Sequence, residues 1–166
     1  MKKGLMFGAA LLAALGFGTA QAGEVDMTGK KVLVAYYSYS GNTKTVAEAI
    51  HAKVGGDLFE IKAEGSYPAE YRPMTEQAKR EIQSGFRPEL TTSVPNMEQY
   101  DVVFVGSPNW WGTITPQVSS FLESYDFAGK TVVPFITHGG GGRQRTIDDM
   151  TNQCKGCTVI QNGWHG

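Results

Sequence analysis

The sequence predicts an α/β sandwich built on a parallel sheet, and three observations carry that prediction. Apolar, β-branched or aromatic runs alternate with stretches of helical spacing along most of the chain. Asp101 to Ser107 (DVVFVGS) is continuously apolar and closed by Gly and Ser, as a central strand covered on both faces requires. Val32 to Ile50 (VLVAYYSYSGNTKTVAEAI) passes from a strand pattern through small hydroxyl and Gly residues into a helix pattern, giving one strand, loop and helix unit.

In chain order, Lys2 and Lys3 precede an apolar run from Gly4 to Gly18 and a small-residue site, Ala20-Gln21-Ala22. This pattern predicts a cleaved Sec-type signal peptide over residues 1–22, a mature domain over 23–166, and a periplasmic or secreted location. No Cys follows the apolar run, so a lipoprotein is not indicated. The first strand spans Val32 to Tyr37, and its helix carries Val46, Ala49, Ile50 and Val54 before Gly55-Gly56 ends it. Asp57 to Ile61 alternates like an edge strand. Tyr67, Tyr71, Met74, Ala78 and Ile82 fall at helical spacing and predict a helix at about 71–84, stopped by Gly85. Phe86 to Glu98 reads as a surface connector. After the central strand, Thr115 caps a helix with Pro116 in its first turn and Val118, Phe121, Leu122 and Tyr125 on one face. Lys130 to Thr137 is the next strand, and its Pro134 predicts a bulge or local irregularity. A short helix through Arg145, Ile147 and Met150 and a last strand at Thr158 to Gln161 complete the pattern.

At 166 residues with 41% hydrophobic and 19% charged side chains, the chain suits one compact domain with a real core. Of its 15 basic residues, 13 remain without Lys2 and Lys3, against 16 acidic ones. That mildly acidic balance, with no basic run, points away from nucleic acid and from anionic membrane surfaces. Cys154 and Cys157 form a C-x-x-C pair. In an exported chain a local disulfide is favoured over a catalytic dithiol, because the pair ends a helix rather than opening one after a strand. Two cysteines make no zinc site.

Ligands of open parallel sheets bind beyond the carboxyl ends of the strands, where strand order reverses. Three loops leave those ends here. Ser38, Ser40, Gly41, Asn42 and Thr43 form the first, short donors and a glycine ahead of a helix N-terminus, an arrangement suited to a phosphate but also to a plain N-cap and turn. It is neither a G-x-x-x-x-G-K-[ST] loop nor a G-x-G-x-x-G fingerprint. Pro108, Asn109, Trp110, Trp111 and Gly112 form the second. Either indole alone reads as core, but two in a row cannot both point inward from an extended loop, so one is available to a planar ligand. Thr137, His138, Gly139, Gly140 and Gly142 line the third, a glycine rim on which a flat ring can approach backbone amides. His138 reads as a solvated loop residue, with proton delivery as the alternative. A phosphate cradle, an aromatic wall and a glycine rim at one sheet edge match FMN.

The segments SYSGNT, YPAEYRPMTEQAKREI and SPNWWGTITPQVSSFLESYDFAGKTVVPFITHGGGG resemble the flavodoxin family, in its short-chain oxidoreductase branch, over about Lys31 to Ile160. The resemblance implies a flavodoxin-like three-layer α/β/α sandwich with a five-stranded parallel sheet of order 2-1-3-4-5. It implies that Ser38, Ser40, Gly41, Asn42 and Thr43 hold the FMN phosphate, with the other two loops on either side of the isoalloxazine. No residue reads as a catalytic acid or base, since the cofactor does the redox chemistry. The implied function is that of an electron carrier or of a reductase of a quinone-like acceptor, two readings the sequence does not separate, and the implied partner is a redox protein or a small quinone-like acceptor. A flavodoxin-fold interaction module without FMN is the alternative, and a C-x-x-C thiol oxidoreductase a third reading. The chain departs from the family in being nearly neutral, in reading as exported, and in reaching Gly166 without a fifth helix. That last departure predicts apolar surface left open on one sheet face, for a partner or a second copy in a homodimer to cover, or else a truncated form of the sequence.

Overall fold

The computed structural model describes residues 25–166, so the expected leader at 1–22 lies outside the described residues. Strand β1 (Val32–Tyr36) feeds helix α1 (Asn42–Val54), and β2 (Asp57–Glu60) follows. Helix α2 (Tyr71–Ser84) and a 3-10 turn at Met97–Gln99 lead to β3 (Val102–Pro108). Then come α3 (Pro116–Ser124), β4 (Thr131–Thr137), α4 (Thr146–Gln153), β5 (Thr158–Val159) and β6 (Trp164–His165). All strand pairs are parallel, in the order β2-β1-β3-β4-β5, with β6 also on β4. The five-position order matches the sequence expectation.

Helix ends fall where local chemistry puts them. Gly85 takes φ 68° and donates its N–H to carbonyls of the last turn of α2, a left-handed cap that glycine adopts at little cost. Thr115 accepts the N–H of Val118 with its side chain, and Pro116 stands in the first turn of α3. The sheet buries both faces, which is why β1 and β3 read as unbroken apolar runs. On one face, Ala47 and Ile50 of α1 pack against Val32, Val34, Tyr36, Phe104 and Phe135. On the other, Val118, Phe121 and Leu122 of α3 and Met150 of α4 pack against Leu33, Val103, Val105, Val132 and Ile136.

Three expectations need correction. First, Pro134 causes no bulge in β4, which stays in register with β3 throughout. The Thr131 N–H faces β3 and the Val132 carbonyl faces the other neighbour, so the alternation turns the missing N–H of Pro134 away from β3. Second, the irregularity falls in that neighbour. The expected strand Thr158 to Gln161 ends at Val159, and the chain turns before re-pairing with β4 as β6. Third, the sheet face beside α1 is not left bare. Among the described residues there are four α-helices, and none plays the fifth helix's part. Instead Phe104 and Phe135 are 3% and 0% exposed, with Trp164, Val25 and Met27 packed against their cluster. Trp164 stands opposite Phe135 in the register and packs against that cluster from β6. Phe104 and Phe135 of this face are thus buried within the chain itself.

Cys154 caps α4 and is disulfide-bonded to Cys157, as expected for the pair. The bridge lies at the amino edge of the sheet, where Gly129 donates to Gly156 just before β4 and β5 begin. Replacing both cysteines by alanine is expected to cost about 2 kcal/mol, the chain-entropy value for so short a loop. The check is a lower urea midpoint at unchanged slope.

Candidate functional site

Strand order reverses between β1 and β3, and the loops that leave these strands and β4 meet at the carboxyl edge. The first loop ends at Gly41, the N-cap of α1, with φ 92° and ψ −13°. No side chain caps this helix and no acidic residue sits in its first turn. By helix geometry the first N–H groups of α1 therefore have no intrahelical acceptor and carry the positive end of the dipole. Ser38 holds the turn by accepting the Gly41 N–H at 3.1 Å. Ser40 and Asn42 are exposed at the mouth. Thr43 is 2% exposed, and its hydroxyl pairs with that of Thr137 at 2.8 Å. That bond ties the first loop to the third.

Asn109 joins the second loop to the third. Its backbone N–H donates to Thr137 O at 2.8 Å, its Nδ2 to Gly142 O at 2.7 Å, and its Oδ1 accepts from Gly112 N at 2.9 Å. The two indoles part as expected. Trp110 is half-buried, with the rings of Tyr37, Tyr39 and Tyr67 edge-on to it at centroid distances of 5.8, 5.9 and 5.0 Å. Trp111 is 50% exposed and has φ 53°. It leans onto α2, donating Nε1–H to Thr75 O at 2.9 Å, with Lys79 Nζ 4.8 Å from its ring centroid. A non-glycine residue at positive φ is sparsely populated backbone, a kind of strain that gathers at binding sites.

In the third loop, Gly139 and Gly140 are exposed, and a Cβ at Gly139, Gly140 or Gly142 would meet nothing within 4 Å. The rim is open. His138 is half-buried and accepts the Gly140 N–H at Nδ1 (3.1 Å), which leaves the proton of the neutral ring on Nε2.

The residues singled out in the three loops thus come together at one edge. What the sequence reading missed is a fourth contributor, the segment between β2 and α2. Tyr39 donates its hydroxyl to Pro68 O at 2.8 Å, and Tyr67 stacks edge-on against both Tyr39 and Trp110. Since β2 also ends at the carboxyl edge, its loop and the tyrosine in YPAEY were the available signal. Among the described residues, no cluster of three or more His, Cys, Asp or Glu side chains is suited to a metal. Nor is any helix among them long and apolar enough to cross a membrane.

Burial pushes the Tyr37 and Tyr67 phenols well above their ordinary value of 10.0, and for Tyr67 the bond to Glu81 adds to it. Burial and a bond to Asp57 push Tyr100 up to about 12. A phenol whose folded pKa is raised contributes stability fully present below its unfolded pKa, and that contribution is lost as pH rises through the folded value. Urea midpoints are therefore expected to hold up to about pH 10 and to fall steadily from there through about pH 12. Tyr67→Phe is expected to shrink that fall.

A family model described as Flavodoxin matches residues 31–164. A flavoprotein from Lactobacillus acidophilus NCFM, solved in complex with FMN, superposes with a TM-score of 0.71 at 28% identity, covering 82% of this chain and 92% of that one. A curated protein from Azorhizobium caulinodans named NAD(P)H dehydrogenase (quinone) is 30% identical over 56% of this chain, which spans only 45% of that relative's length. One of the same name from Archaeoglobus fulgidus is 27% identical over 78% of this chain and 68% of its own. With the family match covering nearly all the described residues, and the strand order and loop placement in agreement with it, the chain belongs to the flavodoxin family.

Proposed function

We propose that this chain binds FMN at the carboxyl edge of its sheet and serves as an oxidoreductase that passes electrons to a quinone-like acceptor. The observation that carries the reading is the uncapped N-terminus of α1 opening onto an aromatic wall and a glycine rim. The residues fit such a group. A Cβ at Gly41 would meet nothing within 4 Å, so the cradle is open, and no carboxylate in the first turn opposes a phosphate. Ser38, Ser40, Gly41 and Asn42 would hold the phosphate by backbone and hydroxyl donors. Thr43 would act through its bond to Thr137, fixing the distance between cradle and rim. Trp110, flanked by Tyr39, would wall one side of the flavin ring, and His138 to Gly142 the other.

When bound, the flavin supplies the two-electron redox chemistry, and the protein orients it and limits water. The names of the curated relatives support a nicotinamide donor and a quinone acceptor for this chain. We further infer export, supported by the leader pattern and by a disulfide of the kind that persists in oxidising compartments. The test is titration of the mature protein with FMN, followed by anaerobic reduction and addition of a benzoquinone. Quenched flavin fluorescence and reoxidation by the quinone are the expected results. A folded protein that leaves FMN fluorescence unchanged would instead be a flavodoxin-shaped interaction module.

A further inference from the structure

We propose that Tyr67 is a positioning residue for Trp110, held by a polar chain that runs from Gln77 through Glu81 and Tyr67 to Gln117. The inference rests on the reading above, in which Trp110 walls the flavin ring. Tyr67 stands between β2 and α2 with its ring edge-on to Trp110, 5.0 Å between centroids and 83° between planes. Its hydroxyl donates to Glu81 Oε2 at 2.5 Å and accepts from Gln117 Nε2 at 2.9 Å. Glu81 Oε1 in turn accepts from Gln77 Nε2 at 2.9 Å.

The direction of this chain is forced. A carboxylate only accepts, so the one phenolic proton goes to Glu81, and Gln117 must then turn its amide N–H toward the phenol oxygen. Gln117 is 5% exposed, and its Oε1 has no protein partner. Gln117 lines a cavity of about 110 Å³, together with Glu64, Ser66, Phe86 and Pro88. That is room for water to complete the amide.

Glu81 belongs to α2 and Gln117 to α3, so the phenol is clamped between two helices while its ring edge reaches the second loop. The backbone of that loop is fixed by a tight turn, in which Trp110 and Thr113 exchange N–H···O bonds at 3.0 and 3.1 Å around Trp111 and Gly112 at positive φ, so what Tyr67 sets is the orientation of the indole. A wall braced before the ligand arrives loses less freedom on binding, which is affinity by preorganisation.

The test compares FMN with riboflavin, which carries the same ring and no phosphate, in fluorescence titrations of wild type, Tyr67→Leu, Glu81→Ala and Glu81→Gln. Tyr67→Leu and Glu81→Ala are expected to raise both dissociation constants by the same factor, about tenfold, and to weaken the visible circular dichroism of the bound flavin. Glu81→Gln keeps an oxygen that accepts from Tyr67 and is expected to stay within about twofold of wild type. Glu81 is half-buried on α2 outside the apolar core, so Glu81→Ala carries the test should Tyr67→Leu not fold. Unchanged constants in both Tyr67→Leu and Glu81→Ala overturn the inference. So does Glu81→Gln behaving like Glu81→Ala, or an effect on FMN alone. Wild-type protein that binds neither flavin overturns the FMN reading and this inference with it, a failure visible before any substitution is made.

Discussion

Gly41→Val is expected to raise the dissociation constant for FMN about a hundredfold or more while leaving the fold in place. Two effects add. Gly41 sits at φ 92°, where an L side chain costs about 1–2 kcal/mol, so the variant distorts the turn that aims the first N–H groups of α1. Its side chain would also project into space that is empty within 4 Å of the Cβ position, the space a phosphate needs. Fluorescence titration with FMN checks the first claim and circular dichroism the second. Riboflavin separates the cradle from the ring, because its affinity is expected to change little in this variant. Equal losses for both flavins would mean that the first loop is not the phosphate site.

Gly106→Ala is expected to lower the melting temperature by about 5 °C or more, although it adds a single methyl group. Gly106 lies in the middle of β3, opposite Phe135 of β4, and a Cβ there would stand 2.2 Å from Cε2 and Cζ of that ring. Phe135 is 0% exposed and has nowhere to retreat. The ring lies across the glycine, and this is part of how the sheet face without a fifth helix is buried. Adding Phe135→Leu to Gly106→Ala is expected to recover part of the loss, since the smaller side chain clears the new methyl, and a double-mutant cycle measures that coupling. Additive losses would show that the two residues do not share the space.

Much of this architecture is legible in the amino-acid sequence. β1, β3 and α2 are readable because their patterns are strong and local: unbroken β-branched runs for the strands, and apolar positions at helical spacing closed by Gly85 for the helix. The three loops are readable as site segments because their composition is unusual and each follows a strand. The behaviour of the indole pair is partly readable, in that successive residues of an extended loop point apart. That Trp111 leans on α2 while Trp110 enters a ring of tyrosines depends on chain segments distant in sequence.

By itself, then, the sequence determined the alternation of strands and helices, the helix caps, the open cradle before α1 and the disulfide pair, because each rests on residues within a few positions of one another. Tertiary structure alone decided the rest. Pro134 is harmless because of which neighbour its missing N–H faces, a matter of register with β5 and β6. Phe135 finds its place over Gly106 across a strand pair, and Trp164 returns from the chain's end to cover it. Tyr67 meets Glu81, Gln117 and Trp110 only after two helices and a loop have converged. Contacts of that kind have no local period to announce them, since they are selected by packing and hydrogen-bond satisfaction once the chain has folded.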